Sequence, residues 1–173
     1  MTLTRVGQVR PDTIEDLRAW CQGMISKMTS DVSSYTDTRY RVWLFNECNL
    51  SNGEIIPAYY DERLWKFCQY VYPGCNIGLL TFGGKFENVK SDGLIRPHRD
   101  HQYAQPIART VNLGKCLFGY DGKVYELNDG DITQFNCKRI HSVDKILSDE
   151  RFSICLWKLN EAKGYVSKLN AGY

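Results

Sequence analysis

Two of the chain's three histidines fall in one short stretch, Arg96-Pro97-His98-Arg99-Asp100-His101, and the third is His141. On an extended strand His98 and Asp100 leave on the same face, because side chains alternate along a strand. One imidazole and one carboxylate can then share a metal ion. A third ligand must come from elsewhere in the chain. His141 stands in the strand-like run Arg139-Ile140-His141-Ser142-Val143, which a folded-back sheet can bring to the first pair. Two neutral imidazoles and one carboxylate form a facial triad, leaving positions open for a co-substrate and dioxygen. Alone, the same three residues also fit a zinc site, or a salt-bridged loop at His98 with a hydrogen-bonded histidine at 141.

Beyond His141 the chain places Arg151-Phe152-Ser153, where Arg151 and Ser153 again alternate onto one strand face. An arginine fork holds a carboxylate by two parallel hydrogen bonds, and a neighbouring hydroxyl adds another. A dicarboxylate could therefore chelate a metal at one end and be clamped by Arg151 and Ser153 at the other. Zinc hydrolases need no such anchor. Arg99, His101 and Tyr103 flank the ligands where the chain leaves the strand as a loop, a common place for substrate contacts. His101 is equally well read as a solvated loop histidine. Arg109 shares its phase with Val111 and Leu113 and faces either a cavity or solvent; Asn112, one position off, is a candidate support for the co-substrate. Trp43 and Tyr59-Tyr60 could line a cavity, although core packing explains such aromatics as well.

Positioning these residues takes two kinds of element. After Pro11-Asp12-Thr13, the apolar positions Ile14, Leu17, Trp20 or Cys21, Met24, Ile25 and Met28 recur at helical spacing, predicting a helix over 11–29. A second helix is expected from Asp61 to about Tyr72, stopped by Pro73-Gly74, with a strand at 40–45 between them. From Asn76 onward the pattern changes to short strands: 76–82, 107–113, 116–120, 123–127, 132–136, 139–143 and 151–159. Asp121-Gly122 and Asn128-Asp129-Gly130-Asp131 supply turns between them. Such closely spaced strands indicate a sandwich or jelly roll rather than βαβ units. The expected class is α+β, mainly β, as one domain over 1–173, with helical support in 1–75 and a jelly-roll core in 76–160.

Bulk properties narrow the partners. The 173 residues suffice for a sizeable core, and a net charge of +2 does not suggest a strongly electrostatic nucleic-acid binder. The seven cysteines are odd in number and never stand at C-x-x-C spacing, so reduced core thiols in a reducing compartment are expected. The first residues lack the apolar region of a signal peptide, and no apolar run reaches membrane-spanning length. A cytoplasmic protein without membrane partners is the expectation.

The combination of His98-Arg99-Asp100, the strand Arg109–Gly114, Asn128–Phe135, His141 and Arg151-Phe152-Ser153 resembles the double-stranded β-helix core of the Fe(II)/2-oxoglutarate dioxygenase superfamily, over about half of the chain. The resemblance implies iron(II) on His98, Asp100 and His141, with 2-oxoglutarate as co-substrate and dioxygen as oxidant. The implied reaction is decarboxylation of 2-oxoglutarate to succinate, coupled to oxidation of a substrate, by default hydroxylation. Val111–Gly114 and Arg151–Leu156 further resemble the AlkB-like nucleic-acid dealkylases. Two departures count against that subfamily. Its second arginine, six residues after the first, is here Trp157, and its Asn-x-Tyr strand motif is here Leu80-Thr81-Phe82. A small-molecule, amino-acid or peptide substrate is therefore expected ahead of nucleic acid. A non-enzymatic cupin-like metal-binding module is the alternative from another class, and it would not need Arg151 and Ser153.

Overall fold

The computed structural model describes residues 2–30 and 33–169. Along the chain these form β1 (Thr4–Gln8), α1 (Pro11–Met24) continued by a 3-10 turn (Ile25–Lys27), β2 (Thr29–Ser30), β3 (Tyr40–Leu44), β4 (Asn46–Asn49), β5 (Glu54–Pro57) and α2 (Glu62–Val71). Then follow β6 (Ile77–Phe86), β7 (Val89–Ser91), β8 (Ile95–His98), β9 (Ile107–Leu113), β10 (Cys116–Tyr120), β11 (Lys123–Leu127), β12 (Asp131–Asn136), β13 (His141–Ile146), β14 (Glu150–Trp157) and a short 3-10 turn (Glu161–Lys163). The major sheet runs β1-β12-β9-β14-β6-β3-β2, with β7 beside β6. The minor sheet runs β11-β10-β13-β8, and β4-β5 is a separate hairpin. All strand pairs are antiparallel.

Two apolar cores follow from this layering. One face of the major sheet, with Leu80, Val111, Leu113, Ile154 and Leu156, packs on Cys21 and Met24 of α1 and Leu64, Cys68 and Val71 of α2. The opposite face, with Leu79, Ala108, Phe135 and Trp157, meets Phe118, Tyr120 and Val143 of the minor sheet. The fold is thus a jelly roll with helices packed outside one sheet. Pro11 starts α1, where a missing N–H costs nothing, and the Asp61 carboxylate caps α2 by accepting from the Leu64 N–H at 2.9 Å.

The two expected helices and every strand expected after residue 76 are present, with ends shifted by a few residues. The division into helical support and jelly-roll core is corrected. Residues 1–75 also supply β1, β2 and β3 to the major sheet and the β4-β5 hairpin. β1 escaped sequence reading because it is an exposed edge strand with no apolar alternation. Among the described residues all seven cysteines are free, six of them buried. Burial pushes the Cys75 and Cys137 thiols up to about 12, which keeps them protonated and inert. No helix among the described residues is long and apolar enough to cross a membrane.

One backbone approach is close enough to test. A Cβ added at Gly83 on β6 would lie 2.2 Å from the Ile146 Cδ1 and 2.7 Å from the Gly93 Cα. Gly83→Ala is expected to destabilise the protein by about 1–3 kcal/mol, read as a lower midpoint in urea unfolding.

Candidate active site

His98 closes β8, and antiparallel pairing sets it directly opposite His141, the first residue of β13. Asp100 lies just past β8, tied there by its backbone N–H donating to the Cys137 carbonyl at 2.9 Å. The three side chains converge: the Asp100 Oδ1 is 3.3 Å from the His98 Nε2 and 3.2 Å from the His141 Nε2. Ligands about 2.1 Å from a shared ion stand roughly 3–3.5 Å apart, so the spacing suits one metal. Each imidazole is also oriented. Nδ1 of His98 donates to the Arg96 carbonyl at 2.9 Å, and Nδ1 of His141 donates to the Arg139 carbonyl at 2.8 Å. With the proton on Nδ1, Nε2 of each neutral ring can take a metal beside Asp100, while in the metal-free protein a proton on the His141 Nε2 donates to Asp100. Phe118 and Phe135 pack against the His141 ring.

The second carboxylate oxygen has a partner that sequence reasoning missed. The Trp157 Nε1 donates to the Asp100 Oδ2 at 3.0 Å, leaving Oδ1 to face the histidines. Trp157 is itself wedged edge-on against Tyr103. Trp157→Phe keeps a ring in that wedge and removes the donor. It is expected to lower metal affinity roughly 10- to 100-fold, measured by calorimetric titration with Mn(II) or Zn(II).

Charge coupling in the cluster sets a pH dependence. Burial disfavours the ionised Asp100, yet hydrogen bonds and charge from His141 and His98 hold it well below the usual carboxylate range. Burial lowers His141, but its hydrogen bond to Asp100 and that group's charge outweigh it, so His141 is held above its ordinary value. A raised histidine stabilises fully below its unfolded pKa of about 6.5, and that contribution is lost as pH rises through the folded value. Depressed Asp100 contributes above its unfolded pKa of about 4 and loses that contribution as pH falls. Metal-free protein should therefore melt lower at pH ~8.5 than at pH ~6, and His141→Ala should remove much of the difference. Zn(II) should reverse the sign, because metal and proton compete for the same Nε2. Melts at the two pH values, with chelator and with Zn(II), check both.

Around the triad lies a cavity of about 220 Å³, lined also by Thr81, Thr110, Arg151, Ser153 and Cys155. Arg151 on β14 is only 3% exposed, and among the described residues it pairs with no carboxylate. Its Nε donates to the Asn112 Oδ1 at 2.7 Å. Asn112 in turn donates to the Asn128 carbonyl at 2.9 Å and to the Gly114 carbonyl. Burial, together with the like charge of Arg39, pulls the Arg151 guanidinium down from its ordinary value, against the opposing pull of the Cys116 and Cys155 thiols. A guanidinium this buried calls for an anion, and Ser153, two residues along the same face, adds a hydroxyl. Asn112 orients the arginine.

The sequence-derived residues divide plainly. His98, Asp100, His141, Arg151 and Ser153 all line one cavity, as do Arg99, His101 and Tyr103. Arg109 does not, and its reading as a cavity or solvent residue is corrected. It turns to the helix side, where its Nε donates to the Gln134 Oε1 at 2.8 Å, its Nη1 to the Val71 carbonyl at 2.9 Å, and its guanidinium stacks over Tyr72. The shared phase with Val111 and Leu113 was the correct signal, because both belong to the helix-side core. Thr81, Thr110, Arg39 and Arg41 were not anticipated, and Thr110 could have been found as the residue in phase with Asn112.

No family model matches the chain, and no curated protein matches it. Solved structures do. OsALKBH1 aligns with a TM-score of 0.64 at 15% identity, covering 91% of this chain and 100% of that one. The non-heme alpha-ketoglutarate-dependent epimerase SnoN from nogalamycin biosynthesis aligns at 0.60 and 12% identity, covering 89% and 76%. A Pseudomonas putida prolyl-4-hydroxylase aligns at 0.57 and 12% identity, covering 92% of each chain. The jelly roll is therefore the fold that these solved structures share with this chain, and His98, Asp100 and His141 cluster in its cavity.

Proposed function

We propose that the protein is an Fe(II)- and 2-oxoglutarate-dependent oxygenase acting on a small-molecule, amino-acid or peptide substrate. The observation that carries this reading is the buried Arg151, braced by Asn112 and beside Ser153, in the same cavity as His98, Asp100 and His141. A metal site alone fits hydrolysis or a binding module equally well. A second, buried cationic anchor answers to a dicarboxylate held between metal and guanidinium. Iron(II) with 2-oxoglutarate would supply oxidative decarboxylation to succinate and carbon dioxide, with dioxygen as the oxidant for both this step and the oxidation of a substrate C–H bond.

The chain's own residues have separable tasks in this scheme. The carbonyls of Arg96 and Arg139 fix the imidazole tautomers, and Trp157 fixes the carboxylate. Arg151 and Ser153 orient the co-substrate by its far carboxylate. Phe118, Phe135 and Val143 line the cavity with apolar surface and exclude water from the reacting face. A small or peptide substrate is supported over nucleic acid by Trp157 standing where the AlkB-like pattern has arginine. The test is uncoupled turnover. Purified protein with Fe(II), ascorbate and air should release carbon dioxide from carboxyl-labelled 2-oxoglutarate, and His141→Ala should not. Wild-type protein that binds Fe(II) and 2-oxoglutarate yet yields neither carbon dioxide nor succinate, with any candidate substrate, counts against the reading.

A further inference from the structure

The strand β3 carries residues that neither the metal site nor the co-substrate anchor uses. Tyr40, Val42 and Leu44 pack into the helix-side core, so the alternate phase faces the cavity. That phase is Arg41 and Trp43, with Arg39 just before the strand, and all three line the cavity. Interior positions of a jelly-roll strand ordinarily take apolar side chains, and a guanidinium placed there loses hydration. The Arg41 guanidinium lies 5.7 Å from the Trp43 ring centroid, and Tyr103 meets that indole edge-on at 6.0 Å. Arg39 lines the same cavity as His141 and Arg151.

The wall of the cavity is also rich in arginine. Among the described residues lining the cavity, Asp100 is the single carboxylate, and it is already engaged by two imidazoles and Trp157. Arg39, Arg41, Arg99 and Arg151 line the same cavity. Arg39 and Arg41 have other contacts as well. Each guanidinium nevertheless carries five N–H donors in a fork suited to a carboxylate or phosphate.

Resting on the oxygenase reading, we propose that Arg39, Arg41 and Trp43 form the substrate-recognition strip and select an organic acid. Its carboxylate or phosphate is held by the two guanidinium groups, and its flat or apolar carbon skeleton lies against Trp43 and Tyr103. Arg39 and Arg41 are half-buried inside a cavity, not spread on an open face, which suits a small acid better than a polynucleotide. The cavity's modest volume admits only the reacting end beside the co-substrate. The remainder passes out between Tyr35 and Leu50, large side chains that line the cavity yet are 44% and 58% exposed.

The test is calorimetry on the full chain loaded with Mn(II) and 2-oxoglutarate without oxygen, using 3-phenylpropionate, its amide, phenyl phosphate and a short oligothymidylate as probes. The acid should bind at least about tenfold more tightly than the amide, a difference of about 1.4 kcal/mol. Arg39→Gln and Arg41→Gln should each erase that preference, while Trp43→Leu should weaken acid and amide together. Comparing phenyl phosphate with the carboxylate identifies which acid group the strip prefers. Equal binding of acid and amide by the wild-type protein overturns the proposal even if a variant fails to fold. So does a preference that survives both arginine substitutions, or displacement of the acid by the oligothymidylate. A prior titration with 2-oxoglutarate separates the two claims. If it gives no heat, the oxygenase reading fails, and the strip is then tested in Arg151→Gln with Mn(II) alone.

Discussion

Arg151→Gln is expected to weaken 2-oxoglutarate binding by on the order of 10²- to 10³-fold while leaving metal affinity within a few-fold of the wild type. The magnitude follows from the roughly 2–5 kcal/mol lost when one partner of a buried, hydrogen-bonded charge pair is truncated. Glutamine can still donate to the Asn112 Oδ1, which accepts from the Arg151 Nε in the native protein, so the surrounding brace is retained. The ligand-free variant should melt no lower than the wild type. Arg151 is a buried charge without an acidic partner among the described residues, and removing such a charge relieves desolvation. A residue kept for packing would behave oppositely, losing stability and keeping co-substrate affinity. Arg151→Lys should fall between, because a point charge replaces a two-pronged fork. Calorimetric titration of 2-oxoglutarate onto Mn(II)-loaded protein, with parallel thermal melts, reads both quantities.

The second large effect is on the metal. His141→Ala and Asp100→Asn are each expected to reduce Fe(II) or Mn(II) affinity by on the order of 10²- to 10³-fold. The scale comes from dividing about 10–16 kcal/mol of structural zinc binding over four ligands, or about 2.5–4 kcal/mol each. The cluster is small, with ligand atoms all within 4.8 Å of one another, and Asp100 touches both imidazoles. Losses should therefore not add. The double variant should bind little worse than the weaker single one, since the remaining groups no longer define a site. Asp100→Asn keeps the shape that Trp157 packs against, so its melting temperature separates loss of ligation from loss of fold.

Much of this site is legible in the sequence because histidine is scarce and strands have a fixed period. His98 and Asp100, two apart, and Arg151 and Ser153, two apart, must share a strand face wherever the strand lies. The chain offers a single further histidine beyond the first stretch, and His141 does pair with His98 across β13 and β8. What the period cannot supply is which face looks inward. β9 is buried on both sides, by helices on one and by the sandwich interior on the other, so its pattern does not alternate. Phase separates Arg109 from Asn112 without saying which face meets the cavity, and the pairing of β9 with β12 and β14 assigns Asn112 to Arg151. The same limit hid Arg39 and Arg41, whose direction depends on β3 joining β6 in a sheet built mainly from the other half of the chain. Trp157 reads as an ordinary core aromatic until its indole N–H is seen on Asp100.

The most direct measurement is anaerobic addition of Fe(II) and then 2-oxoglutarate, followed by visible absorption. Wild-type protein should develop a weak metal-to-ligand charge-transfer band that saturates with 2-oxoglutarate, is absent in His141→Ala, and needs far more 2-oxoglutarate in Arg151→Gln. No band in a folded wild-type protein that retains zinc tightly and shows no affinity for 2-oxoglutarate would contradict the account.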